Sequence, residues 1–128
     1  MSKLLISLLL FINISFCYIK NKDGIRVFEK DEDITVRLGE EFAIKFTHTP
    51  GKGEGWMFLN KAETNTTLKF LKNSYDAKTK FAPIGGPENI YYHFLPIQRT
   101  NETVTLKFNL NTLHGFLTPE TLVEVNIQ

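Results

Sequence analysis

A chain of 128 residues with 15 Lys and Arg against 14 Asp and Glu has room for one domain and one core. It shows no excess of charge that would draw it to nucleic acid or an anionic membrane. Its single cysteine excludes an internal disulfide, so stability must come from packing.

Residues 1–17 read as a secretory signal peptide. Lys3 supplies a positive start, and Leu4 to Ile12 form an apolar run shorter than the roughly 20 residues a membrane span requires. Ser15 and Cys17 are small residues suited to a cleavage site. Cleavage after Cys17 would begin the mature chain at Tyr18, remove the only thiol together with Lys3, and leave 14 basic against 14 acidic residues. The expected location is the secretory pathway, with the product secreted or kept in lysosome- or phagosome-like vesicles, and with no membrane contact after cleavage. On that route two Asn-x-Thr sequons, at Asn65 and Asn101, become candidate N-glycosylation sites.

Residues 18–24 are polar and read as a flexible lead-in to a single domain over 25–128. Ile25 to Phe28 form a short strand. Ile34, Val36 and Leu38 then alternate with Thr35 and Arg37, Gly39-Glu40-Glu41 turns the chain, and Phe42, Ile44 and Phe46 alternate with Ala43, Lys45 and Thr47. The pattern predicts a hairpin. His48 to Gly55 follow as a loop with three glycines after a proline, and Trp56-Met57-Phe58-Leu59 reads as a core strand. Asn60 to Thr66 form a polar turn, Thr67 to Phe70 are extended, and 71–82, which carry no clean period, read as a strand with a mobile stretch. Pro83-Ile84-Gly85-Gly86-Pro87 is a definite break. Ile90 to Leu95 form an aromatic strand, Gln98 to Glu102 a turn, and Val104, Leu106, Phe108 and Leu110 the clearest alternation in the chain. A long connection over Asn111 to Pro119 leads to the closing strand of Val123, Val125 and Ile127.

About seven or eight short strands and no amphipathic helix of useful length predict an all-β fold, an antiparallel β-sandwich. If successive strands run up and down, with 67–81 crossing once, alternate connections share an end. The short or polar connections at Gly39, 60–66 and 98–102 then lie at one end with both sequons. The long connections at 48–55, 82–88 and 111–119 lie at the other. Loops carried on a rigid sandwich are common binding surfaces.

Catalysis finds little support. The three histidines, His48, His93 and His114, show no metal-ligand spacing, and His48 and His114 at the loop end lack a carboxylate partner. Gly51-Lys52-Gly53 lacks the remainder of a phosphate-binding loop. The chain is therefore expected to be no enzyme and to need no cofactor or metal.

Asp33 to Phe42, followed by Thr49-Pro50-Gly51-Lys52-Gly53-Glu54-Gly55-Trp56, resembles the start of the chagasin-type inhibitors of papain-like cysteine peptidases. Their first binding loop reads Asn-Pro-Thr-Thr-Gly-x-x-Trp. Pro50, Gly53 and Trp56 match it, Thr49 replaces the Asn, and Gly51 and Lys52 replace the threonines. The family's second loop carries Gly-x-Gly-Gly, of which Pro83-Ile84-Gly85-Gly86 keeps the last two glycines. The third motif, Arg-Pro-Trp, is absent, and His114 or Phe116 stands in its region.

The resemblance implies an immunoglobulin-like sandwich, a monomer, whose three loops plug the cleft of a papain-like peptidase. Pro50 would stiffen the first loop, Gly51 to Glu54 would lie over the active-site cleft, Trp56 would pack beneath, and Ile84 and Phe116 would touch the rims. The competing expectation is a secreted module that binds a carbohydrate or a cell-surface partner, with exposed Tyr91 or Tyr92 and Trp56 as a sugar platform.

Overall fold

Alternation along a strand decides which side chains face the core. The structure, a computed structural model, describes residues 21–22, 24–77, 85–112 and 118–128. Within them run β1 (Asn21–Lys22), β2 (Ile25–Glu29), β3 (Ile34–Val36), β4 (Phe42–His48), β5 (Gly55–Phe58), a one-turn helix α1 (Lys61–Thr64), β6 (Leu68–Tyr75), β7 (Glu88–Pro96), β8 (Val104–Asn111) and β9 (Thr121–Ile127). They form two sheets, ordered β1-β2-β4-β7-β6 and β3-β9-β8-β5. This is the expected β-sandwich of immunoglobulin-like type. The signal-peptide reading of 1–17 lies outside the described residues.

The inward faces meet in a core rich in phenylalanine. Phe42, Phe46, Phe94 and Phe108 are fully buried. Phe46 of one sheet meets Phe108 of the other with ring centroids 4.5 Å apart, and Phe58 stacks on Phe108 at 5.0 Å. Such ring pairs contribute about 1 kcal/mol each beyond the area they bury. With no disulfide available, this interlocked layer holds the two sheets at a fixed spacing.

The hairpin expected from 34–47 does not form. β3 pairs in parallel with β9, whereas β4 pairs in parallel with β2 and antiparallel with β7, so the two segments lie in different sheets. Alternation shows which face is buried but not which strand lies alongside. The connection crosses between sheets because Leu38 donates its N–H to Gln128 O at 3.1 Å and Gly39, at φ +82°, donates to Pro96 O at 2.9 Å. Among the described residues these two parallel pairings, made by β2 and β3, are the departures from a purely antiparallel sandwich.

Three local readings also change. The apolar run 56–59 belongs to an edge strand: Trp56 and Phe58 turn inward and are half-buried, while Met57 and Leu59 are exposed. The polar turn at 60–66 contains α1. Asn21 and Lys22, in the expected lead-in, pair with Arg26 and Ile25.

Candidate functional site

Strand register places three connections at one end of the sandwich. His48 at the end of β4 stands opposite Glu88 at the start of β7, and Gly55 at the start of β5 stands opposite Asn111 at the end of β8. The first loop (49–54), the chain entering β7 and the chain leaving β8 therefore emerge at the same pole. β6 crosses the sheet once, as the parity argument required, with a bulge between Phe70 and Lys72.

The first loop is built from its backbone. Thr49 is extended, Pro50–Lys52 form a single 3-10 turn, and Gly53 ends it in the left-handed region at φ +72°, donating its N–H to Pro50 O at 2.9 Å. Proline supplies the φ that the start of such a turn requires, and glycine takes the positive φ without steric cost. Glu54 closes the neck: its carboxylate accepts the Thr49 N–H at 2.8 Å, and its own N–H donates to Thr49 O at 3.4 Å. Pro50, Gly51, Lys52 and Gly53 are exposed, whereas Thr49 and Glu54 are half-buried.

Beneath the loop Trp56 ties the strands together. Its indole N–H donates to Thr47 O at 3.0 Å, its ring packs on Phe46 at 4.7 Å, and Lys30 Nζ lies 5.0 Å from its ring centroid. The Tyr92 hydroxyl donates to Trp56 O at 3.0 Å, a bond from one sheet to the other. Burial, followed by repulsion from Tyr75, pushes the Tyr92 hydroxyl up to about 12. Trp56 thus acts as a structural anchor at the loop's root.

The second connection meets the first by backbone alone. A Cβ added at Gly51 would lie 2.5 Å from Gly85 O and 3.0 Å from Gly85 Cα. Gly85, exposed, has φ +77°, and Gly86 follows it half-buried. The neck of this connection is clasped on the outer face of its sheet. Thr47 Oγ1 donates to Asn89 Oδ1 at 2.8 Å, and Asp76 accepts from Asn89 Nδ2 at 2.9 Å and from the Tyr91 hydroxyl at 3.0 Å. In the third connection Thr118 Oγ1 accepts from Leu110 N–H at 3.1 Å and donates to Leu110 O at 2.9 Å.

Of the residues singled out from sequence, Thr49, Pro50, Gly51, Lys52, Gly53, Glu54, Trp56, Gly85 and Gly86 share this pole. Pro83, Ile84, His114 and Phe116 lie outside the described residues, so the meeting of His48 with His114 does too. Glu54 turns its carboxylate back onto its own loop instead of outward. His93 is a buried strand residue whose Nε2 lies 2.7 Å from Ser74 Oγ. The sugar platform does not exist: Tyr91 and Tyr92 are only 7% and 3% exposed, because consecutive strand residues here face two covered surfaces. Sequence reading missed the clasps made by Asn89, Thr118 and Asn60, since a polar residue in a strand does not announce its partner. Asn65 and Asn101 are both exposed, at the pole opposite the loops. Among the described residues no group of three or more His, Cys, Asp or Glu is placed to hold a metal ion.

No family model and no curated protein matches this sequence. Solved structures share its architecture. The solution structure of amebosin superposes with a TM-score of 0.57 at 16% identity, over 80% of this chain and 96% of that one. The crystal structure of the cysteine protease inhibitor EhICP2 from Entamoeba histolytica gives a TM-score of 0.54 at 14% identity, over 81% of this chain and 96% of that one. At these identities the likeness is one of fold.

Proposed function

We propose that the protein inhibits papain-like cysteine peptidases by seating its loop pole in the active-site cleft. The observation that carries this reading is the convergence of the first two loops, backbone against backbone at Gly51 and Gly85, beside the neck of the third. A ridge with little side-chain bulk can enter a narrow cleft, and loops ordered before binding lose little entropy on docking. The structural likeness to a cysteine protease inhibitor at high coverage of that chain points the same way, as do the matching Pro50, Gly53 and Trp56.

Inhibition would be by occlusion, with no bond made or broken. The 3-10 turn at Pro50–Lys52 lies over the catalytic centre and Gly53 lets the chain fold back; Trp56 and Glu54 hold the loop from behind. Gly85 and Gly86 stand beside that turn, and Ile84 and Phe116, which lie outside the described residues, would supply the apolar rim contacts on either side of the cleft. An interface of about 800 Å² per partner is typical of such complexes and within reach of three loops. The protein acts as a monomer, reaches its peptidase through the secretory route, and carries any sugars on Asn65 and Asn101, away from the cleft.

Titration of the purified protein against papain tests the reading: competitive loss of activity at submicromolar inhibitor is expected, and full activity of several papain-like enzymes would end it. Replacing Gly53 by Phe forces a bulky residue into the left-handed region, at a strain of about 1–2 kcal/mol, and puts a ring at the tip. The domain should stay folded by circular dichroism while inhibition falls at least a hundredfold.

A further inference from the structure

We infer that the first loop and the chain entering β7 form one body, set against each other before any partner arrives, with Gly51 and Gly85 as the positioning residues that fix their spacing. Its consequence for inhibition rests on the proposed function; its geometry does not. The three heavy atoms nearest a Cβ at Gly51 would all be backbone of the other loop, Gly85 O at 2.5 Å, Cα at 3.0 Å and C at 3.1 Å. In reverse, a Cβ at Gly85 would lie 3.3 Å from Gly51 Cα and 3.9 Å from Gly51 N. Backbone atoms cannot step aside as the end of a side chain can, so any residue larger than glycine at position 51 must push the two loops apart.

The two segments are also anchored on adjoining strands. His48, one residue before the first loop, pairs with Glu88, three residues after Gly85. The necks are held by Glu54 on Thr49 and, across the two strands, by Asn89 between Thr47 and Asp76. With both roots fixed, a shift at the tip cannot be relieved by sliding a strand; it appears as splaying of the ridge. Gly55 provides the contrast. A Cβ there meets nothing within 4 Å, and its φ is not in the left-handed region, so a methyl group at Gly55 disturbs neither loop.

The test begins with the free, isotope-labelled protein in solution. A nuclear Overhauser contact between the α-protons of Gly51 and Gly85 is expected without any peptidase present. In Gly51→Ala the amide resonances of 85–88 should shift as strongly as those of 49–54, with faster internal motion in both segments. Gly85→Asn, which tolerates the left-handed conformation but adds a Cβ, should shift 50–53 in return. Gly55→Ala should leave 85–88 unmoved. Against papain, Gly51→Ala should weaken inhibition at least tenfold, mainly through slower association, as expected when the binding geometry is only partly populated. Missing α-proton contact, or shifts confined to the loop that carries the substitution, would overturn the coupling. Reciprocal shifts in a protein that leaves papain untouched would uphold the coupling and remove the peptidase.

Discussion

The two poles of the sandwich solve the same problem, returning the chain to the next strand, with different materials. At the pole carrying Asn65 and Asn101, the turn is fastened to strand backbone by a buried side chain. Asn60 Nδ2 donates to Thr105 O at 2.9 Å and its Oδ1 accepts from Lys107 N–H at 2.8 Å, with Leu59 N–H on Lys107 O at 2.8 Å beside them. At the loop pole the described tip residues, Pro50 to Gly53 and Gly85, are exposed, and among the described residues the side-chain clasps lie at the necks. One pole is held for stability, the other for shape. The contrast implies that substitutions at the first should be read in unfolding free energy, and those at the second in binding.

The largest effect on stability should come from Asn60→Ala. It strips partners from a strand carbonyl and a strand N–H at a buried position, and leaving buried polar groups unpaired costs about 2 kcal/mol. Urea unfolding should show that loss, while inhibition by the folded fraction stays within twofold of the parent. A weakened inhibitor of unchanged stability would erase the distinction between the poles. Next is Glu54→Ala, which releases the Thr49 N–H at a half-buried neck. Stability should fall by less than about 1 kcal/mol because water can replace the carboxylate, yet the loosened loop should dissociate from papain about tenfold faster. Stopped-flow or surface-binding kinetics would separate this from a change in association.

The same division explains how much of the molecule was legible in its residues. Val104 to Leu110 alternates without a break because one face meets the core, so strand and face could both be read. The shared pole of the loops followed from parity alone, since register was not needed to count crossings. What alternation could not supply was pairing: Ile34–Val36 and Phe42–His48 look like a hairpin, but long-range contacts at Gln128 and Pro96 decide that they part. Tyr91 and Tyr92 defeated the reading in another way, because a strand covered on both faces no longer separates buried from exposed by period. Glycines at 51 and 85 were visible as permissive residues, but nothing local says that each exists to admit the other's backbone.

The smallest effect, and the one that probes the bond between the poles' common scaffold and the loop root, lies in alkali. Tyr92 is nearly fully buried, bonded to Trp56 O, and its hydroxyl is pushed up from 10.0 to about 12. Its neutral form is therefore favoured by folding. Below pH 10 both states keep the proton and the contribution is complete; between 10 and about 12 the unfolded chain ionises first and binds fewer protons, so stability must fall as pH rises. Tyr91, raised in the same direction by burial and by Asp76, adds to the slope. In Tyr92→Phe, stability near pH 8 should drop by about 0.5 kcal/mol for the lost hydrogen bond, while the alkaline decline becomes shallower without vanishing. Urea unfolding at a series of pH values measures both. If the decline keeps its full steepness in the variant, the hydroxyl is not held neutral by the fold, and the tie from β7 to the base of the first loop is looser than the 3.0 Å contact implies.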